Sequence, residues 1–270
     1  MKKLSVLFLI LITLTASAQR YGEVGITGGG MYYLGDLNPG KQFLLTQPAF
    51  GGFLRHNFNE RLAIKTAFTF GMVKGDDAIS DVHPDRNLNF QSSITDFSAT
   101  FEFNFLEYFI GSMNHSFTPY MFAGVSGFLY NPKADLNGSL IELRTAGTEG
   151  QGTALYPDRK QYSKLGFSIP FGIGFKYSLN SFMGLSLSWT MHRTYTDYLD
   201  DVSTTYYIDA TGITPNVAPE EVLLSDPTLS HKAGMQRGDS QYNDWFSVAA
   251  VSVSFRINYL DKQRCLNIFY

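Results

Sequence analysis

The segment Leu62–Val73, LAIKTAFTFGMV, alternates large apolar side chains with small or polar ones. One face of the predicted strand carries Leu62, Ile64, Thr66, Phe68, Phe70 and Met72, and the other carries Ala63, Lys65, Ala67, Thr69 and Gly71. A period of two is typical of a β-strand whose faces meet two different environments. The segment therefore predicts a strand with one strongly apolar face.

The same alternation recurs four times further along the chain. The clear copies are FSATFEFNF (97–105), FSIPFGIGFKY (167–177), LSLSWTMH (185–192) and VSVSFRINY (251–259). Glycines blur three weaker candidates at Gly22–Leu34, Ala49–Phe58 and Thr118–Tyr130. Together these segments predict eight strands.

The lengths of the links between strands also alternate. Tight links fall at 57–61 and 179–183 and a moderate one at 106–117, whereas long polar links cover about 35–47, 75–89, 131–162 and 199–244. Short turns at one end and long loops at the other are typical of an outer-membrane β-barrel. We predict an all-β fold, an eight-stranded antiparallel barrel with periplasmic turns and extracellular loops.

A secreted β-sandwich is the competing fold, because its strands also alternate. Its outer face would be solvated, yet the polar face here is mostly Ser, Gly, Ala and Thr with few charges. Such a face suits the narrow interior of an eight-stranded barrel. Pro170 falls within a predicted strand, and we expect a β-bulge there because proline lacks an amide hydrogen.

Residues 1–18, MKKLSVLFLILITLTASA, have the features of a secretory signal peptide. Lys2 and Lys3 precede an apolar run that is too short for a membrane-spanning helix, and Ala16 and Ala18 form a small-residue cleavage site. The predicted organisation is a signal peptide at 1–18, a barrel at 19–260 and a periplasmic tail at 261–270. The predicted location is the cell outer membrane, with its lipid around the barrel.

The composition favours neither nucleic-acid binding nor catalysis. The chain has 21 Lys and Arg against 24 Asp and Glu, and no basic run. Its five histidines lie far apart, and neither a GxSxG nor an HExxH motif is present. We predict no enzymatic activity, no cofactor and no catalytic or metal-binding residues.

Five charged residues fall on the predicted interior face of the barrel. They are Glu23, Lys65, Glu102, Lys176 and Arg256. They could form an ion pathway or a structural polar plug. The plug is favoured because acids and bases nearly balance, and buried charges persist only when they are paired.

The stretch RTYTDYLDDVSTTYY covers Arg193 to Tyr207. We predict that the seventh barrel strand runs from Gly184 to Tyr198. Its outer end then carries a cluster of four residues, Asp197, Tyr198, Asp200 and Asp201. Carboxylates at close spacing could hold calcium, although the EF-hand spacing is missing. The alternative is a turn capped by side-chain hydrogen bonds, or a pair with a loop arginine. We predict a structural rim.

Cys265 is the only cysteine of the chain. The predicted strand count places it in the periplasm, an oxidising compartment, and an odd cysteine there indicates an intermolecular bond or a free thiol. Its neighbours Lys262 and Arg264 favour the reactive thiolate. It is therefore a candidate for an intermolecular disulfide with a periplasmic partner, the alternative being an inert thiol.

Several motifs resemble those of small outer-membrane barrels related to PorG, the barrel component of type IX protein secretion. They are GGGMYYLGDLNP, HNFNERLAIKTAFTFGMVKGDD, PYMFAGVSGFLYNPKA, TDYLDDVS and QRCLNIFY, in that order along the chain. The resemblance implies an outer-membrane barrel and an accessory role beside the periplasmic part of the secretion and gliding machinery. A periplasmic protein or lipoprotein is the implied partner.

Two other functions remain open at this stage. The extracellular loops could bind a ligand or a surface, because loops carry interaction surfaces without a chemical signature. A narrow channel is the third alternative, and ion conductance would distinguish it.

Overall fold

The computed structural model describes residues 21–257. Its strands are β1 (Tyr21–Leu34), β2 (Gln47–Asn57), β3 (Leu62–Asp76), β4 (Asn89–Asn104), β5 (Phe117–Leu136), β6 (Ser139–Glu142), β7 (Leu165–Ser178), β8 (Met183–Thr194) and β9 (Trp245–Ile257). Three short helices lie between them, α1 (Asp77–Ser80), α2 (Leu143–Ala146) and α3 (Glu220–Ser225). The predicted signal peptide, the tail and Cys265 lie outside the described residues.

The sheet closes into a barrel of eight antiparallel strands. Sequential strands pair as β4-β3-β2-β1-β9-β8-β7-β5, and β4 pairs with β5 to complete the ring. The first and last strands meet in the register Glu23 opposite Arg256. The short strand β6 lies outside this ring and pairs only with the outer end of β5. The predicted fold is confirmed.

The apolar face of each strand points away from the barrel axis. Phe97 is 61% exposed and Ile173 is 57% exposed, whereas Glu102 on the opposite face is fully buried. The apolar face was predicted to point outward and the small or polar face inward, and the structure has this orientation. This orientation surrounds the barrel with an apolar wall that suits contact with lipid. Among the described residues, the helices are all too short or too polar to cross a membrane.

Two local predictions were wrong. Strand β8 ends at Thr194 rather than at Tyr198, because the Thr194 hydroxyl donates to the Asp244 carbonyl and the chain turns into the loop. Pro170 does not cause a β-bulge. Pairing between β5 and β7 lapses opposite Pro170 and resumes in the same register, with Ala123 opposite Phe171 and Ser126 opposite Ser168. The missing amide hydrogen therefore interrupts the ladder without adding a residue.

The four long links fold together into one cap over the outer end of the barrel. Strand residues such as Phe128 and Phe246 share a hydrophobic core with Leu37, Leu88 and Leu199 from the links. Because this core contains residues from both the strands and the links, the cap packs directly against the outer end of the barrel.

The periplasmic end is closed by the link that precedes β5. In this link Tyr108 and Ile110 are buried, with 2% and 0% of their surface exposed. The Tyr108 amide donates to the Glu60 carbonyl over 3.2 Å, and Phe109 packs edge-on against Tyr21. The segment therefore folds back under the lumen as a lower seal.

Candidate functional site

A buried ion-pair network fills the lumen above the lower seal. Glu102 on β4 lies 2.8 Å from Arg55 Nε, 2.6 Å from Lys176 Nζ and 3.8 Å from Lys65 Nζ. Glu23 on β1 accepts a hydrogen bond from Arg55 Nη1 over 2.5 Å. Lys176 also donates to Asn104 Oδ1 over 2.9 Å, so its charge has two partners. Paired and hydrogen-bonded in this way, the charges can remain buried.

The network includes four of the five predicted interior residues. Arg256 is placed apart, at the periplasmic end, where its guanidinium donates to the Ile110 carbonyl and lies 4.2 Å from the Phe109 ring centre. Arg256 therefore contacts the lower seal. Arg55, which joins Glu23 to Glu102, was not among the predicted interior residues. The glycines of β2 blur the alternation around it, so its face could not be assigned.

A small chamber of about 50 Å³ separates the ion-pair network from the cap. Asp96 and His192 face it, with His192 Nδ1 3.8 Å from Asp96 Oδ1 and 3.1 Å from the Ser168 hydroxyl. The His192 ring stacks on Phe246, which belongs to the core above. Within residues 21–257 the Asp96 carboxylate has no hydrogen-bond partner. The chamber is thus polar, and it is enclosed by the network and the core.

The rim cluster, Asp197, Tyr198, Asp200 and Asp201, lies where the chain passes from β8 into the cap, and Asp200 and Asp201 are buried there. Asp200 lies 2.5 Å from the Tyr33 hydroxyl, and Asp244 lies 3.0 Å from the same oxygen. A phenol has one hydrogen to donate, so the second contact needs a proton on a carboxyl group. Burial, followed by the charges of neighbouring aspartates, raises the pKa of both Asp200 and Asp244. The raised pKa values are consistent with a shared proton.

Two other residues of the cluster, Asp201 and Tyr198, both contact Tyr162. Asp201 accepts hydrogen bonds from Thr148 and from Tyr162, the latter over 2.7 Å, and burial raises its pKa to about 6. Tyr198 stacks on Tyr162 with ring centres 4.8 Å apart. Asp197 is half-buried, and burial raises its pKa to about 7.

The predicted turn cap is present in this cluster. Asp200 Oδ1 accepts a hydrogen bond from the Val202 amide over 2.8 Å, which is an Asx-turn contact. Asp200 and Asp201 point toward different partners, so their oxygens do not converge as calcium ligands would. Across residues 21–257, no group of three or more acidic, histidine or cysteine side chains is arranged to hold a metal ion.

The cap contains two buried ion pairs that were not predicted from the sequence. Glu149 lies 3.0 Å from Arg237 Nη1 and also accepts from the amides of Ser203 and Thr204. Arg86 forms two hydrogen bonds to Asp77, over 2.7 and 2.8 Å. The two pairs meet because Arg86 donates to the carbonyl of Arg237 over 2.6 Å. Because Arg86 also donates to the carbonyl of Asp36 in the first link over 3.0 Å, all four long links are joined through buried charged side chains.

The first 147 residues match a known protein family, described as "Domain of unknown function (DUF6089)". This match covers more than half of the chain. The chain belongs to the DUF6089 family. The family's description assigns no function, and no curated protein is significantly similar to the sequence.

Several solved barrels are similar in structure to this DUF6089 protein. Ail, the attachment invasion locus protein of Yersinia pestis, is 9% identical with a TM-score of 0.42, covering 88% of this chain and 99% of its own. OprG of Pseudomonas aeruginosa is 11% identical with a TM-score of 0.41, covering 89% and 98%. Neisserial surface protein A is 11% identical with a TM-score of 0.40, also covering 89% and 98%. Similarity at this level carries no conclusion about function.

The membrane assignment follows from the barrel itself. A closed ring of strands satisfies its backbone hydrogen bonds internally, as a membrane-spanning structure must. The apolar wall and the alternation of short turns with long loops add the two other features of outer-membrane barrels. This DUF6089 protein is an outer-membrane β-barrel.

Proposed function

We propose that the protein is a structural and interaction component of the outer membrane rather than a channel. The closed lumen is the observation that carries this proposal. From the periplasmic side, an ion would meet the lower seal, then the network around Glu102, and then the core that contains Phe128 and Phe246. Desolvating an ion in so narrow a lumen is costly, which argues against conduction.

Planar-bilayer recording tests the proposal. The folded barrel should give no discrete conductance steps. A variant that loses the lower seal, Tyr108→Gly with Ile110→Gly, should stay non-conducting because the ion-pair network lies above it. Reproducible steps from the unmodified protein, absent from boiled samples, would show that the lumen conducts.

The finer proposal is an accessory role in type IX secretion and gliding, in contact with a periplasmic protein or lipoprotein. Its support is the order of PorG-like motifs along the chain and an exposed apolar surface at the periplasmic end. Met113, at the tip of the longest periplasmic link, is 96% exposed, and Phe182 on a neighbouring turn is 55% exposed. Exposed apolar side chains in one region are typical of a protein interface.

Site-specific crosslinking in cells tests for this partner. A photo-crosslinking residue in place of Met113 should yield an adduct with a periplasmic protein, identified by mass spectrometry. The control position is Leu155, which is 69% exposed in an extracellular loop. Failure to form an adduct at Met113, or the same adduct at both positions, would count against a periplasmic partner at this surface.

A second candidate function is ligand binding by the cap. This function is favoured by a cleft of about 790 Å³ between the loops of the cap and outward-facing side chains of the barrel strands. This volume is in the range of small-molecule sites.

A further inference from the structure

The cleft lies where the cap meets the outer wall of the barrel. Its floor includes Leu34, Met191 and Trp245, which the strand alternation places on the outer face of β1, β8 and β9. Its upper part is formed by the first, second and fourth long links, with Arg86, Tyr206 and His231 among the lining residues. The site is therefore apolar below and polar above.

Tyr206 provides an unused polar group in this cleft. The residue is 2% exposed, and its hydroxyl has no hydrogen-bond partner among the described residues. Burial raises its pKa to about 12, so the phenol stays neutral. A buried polar group without a partner is costly, and a ligand hydroxyl at this point would remove that cost.

Aromatic rings also line the cleft. His231 stacks on the Tyr206 ring with centres 4.3 Å apart, which fixes the ring in place. Trp245 is partly exposed on the floor, and Tyr242 is 74% exposed at the edge. Rigid aromatic faces beside hydrogen-bonding groups suit a ligand with both apolar C–H faces and hydroxyl groups.

The charge of the cleft argues against an anionic ligand. Asp36, Asp85 and Asp239 all line it. Among the described residues that line it, Arg86 is the only arginine, and it already binds the Asp77 carboxylate and the carbonyls of Arg237 and Asp36. A phosphate or sulfate would meet three carboxylates without a free guanidinium, whereas carboxylates are good acceptors for sugar hydroxyls.

We propose that this cleft binds a neutral saccharide, with Tyr206 as a central hydrogen-bonding residue and Trp245 and Tyr242 as stacking surfaces. The inference rests on the ligand-binding role proposed for the cap. The sugar can be a free glycan or the headgroup of a membrane glycolipid, because outward-facing residues of β1, β8 and β9 line the cleft.

Trp245 fluorescence provides the test. The chain has two tryptophans, so Trp189→Phe leaves Trp245 as the sole reporter. The full barrel in glycolipid-free nanodiscs is titrated with maltotetraose, cellotetraose and chitotetraose, and then compared in nanodiscs that carry a glucosyl diacylglycerol. Spermidine and polygalacturonate are the cationic and anionic comparisons. A saturable shift with a soluble neutral sugar identifies a free glycan, and a shift only with the glycolipid identifies a headgroup.

Matched variants localise the binding. Tyr206→Phe removes one hydrogen bond and should weaken affinity about five- to tenfold. Tyr207→Phe is the control, because its ring packs on Tyr156 away from the cleft. Equal losses in both variants, or no shift with any neutral sugar or glycolipid, would overturn the proposal. A shift with spermidine alone would also overturn it, while leaving a ligand-binding cap in place.

Discussion

Replacing Glu102 with Gln should destabilise the barrel more than any other single charge substitution in the lumen. The change keeps the shape of the side chain and removes the negative charge that Arg55, Lys65 and Lys176 share. Two of these cations lie at hydrogen-bond distance, and Arg55 and Lys176 are almost fully buried. Breaking a buried ion pair by removing one partner costs about 3–5 kcal/mol, because the remaining charge is left uncompensated.

Urea-induced unfolding in phospholipid vesicles measures this loss. The free energy of unfolding is followed by tryptophan fluorescence and by the mobility difference between unboiled and boiled samples. Glu107→Gln is the matched control. Its pair with Arg61 spans 3.5 Å at the surface, with both side chains more than 40% exposed, and such pairs contribute about 0–1 kcal/mol.

The double variant Glu102→Gln with Lys176→Met tests the cause of the loss. If uncompensated positive charge is responsible, removing one cation should restore part of the stability. A loss for Glu102→Gln no larger than that for Glu107→Gln would refute the reasoning. So would a double variant whose loss equals the sum of the two single losses.

Three further predictions follow from the wall, the cap and the tail. Phe68→Arg should cost about 2–4 kcal/mol in the same unfolding assay if the residue lies near the bilayer midplane. Ala67→Arg should impair folding because the larger side chain overfills the lumen. Normal insertion of both variants would contradict the assignment of the two faces of β3. Burial raises the pKa of the Asp201 carboxyl from 3.8 to about 6 and that of Asp197 from 3.8 to about 7. Between about pH 4 and pH 7 the folded cap therefore binds more protons than the unfolded chain. Its stability falls as pH rises through that range. Hydrogen exchange across residues 199–204, corrected for intrinsic rates, should increase over that range and should change less in Asp201→Asn; a flat profile in the unmodified protein would exclude this effect. Non-reducing electrophoresis of freshly alkylated cells should reveal a heavier species that is lost on reduction and in Cys265→Ser, whereas a fully alkylated monomer would exclude a covalent tether.

The strands and their facing could be predicted because both depend on local sequence. Alternation with a period of two places Phe68 outside and Lys65 inside without reference to any other part of the chain. Where glycine removes that signal, as around Arg55, the face was not assigned. The end of β8 was missed for a different reason, since it is set by a hydrogen bond from Thr194 to the distant Asp244 carbonyl.

The cap could not be predicted because its contacts join distant parts of the chain. Tyr33 and Asp200 are 167 residues apart, and Glu149 and Arg237 are 88 apart. Neither pair can be recognised from the local sequence, because no sequence pattern distinguishes a loop carboxylate that becomes buried from one that stays exposed to solvent. The cluster around Asp200 was recognised as a rim feature, but its burial and its contact with Tyr33 follow only from the packing of the loops.

The position of the lower seal bears on what the cap does. Tyr108, Ile110 and the network around Glu102 already close the lumen from the periplasmic side, so the cap is not needed to block it. Burying the carboxylates of the cap is unfavourable unless they are paired, yet Arg86 and Arg237 hold two of them in fixed positions. Arg86 also lines the outer cleft. The ion pairs that order the cap therefore also fix one wall of that cleft, and preorganisation of this kind favours binding over sealing.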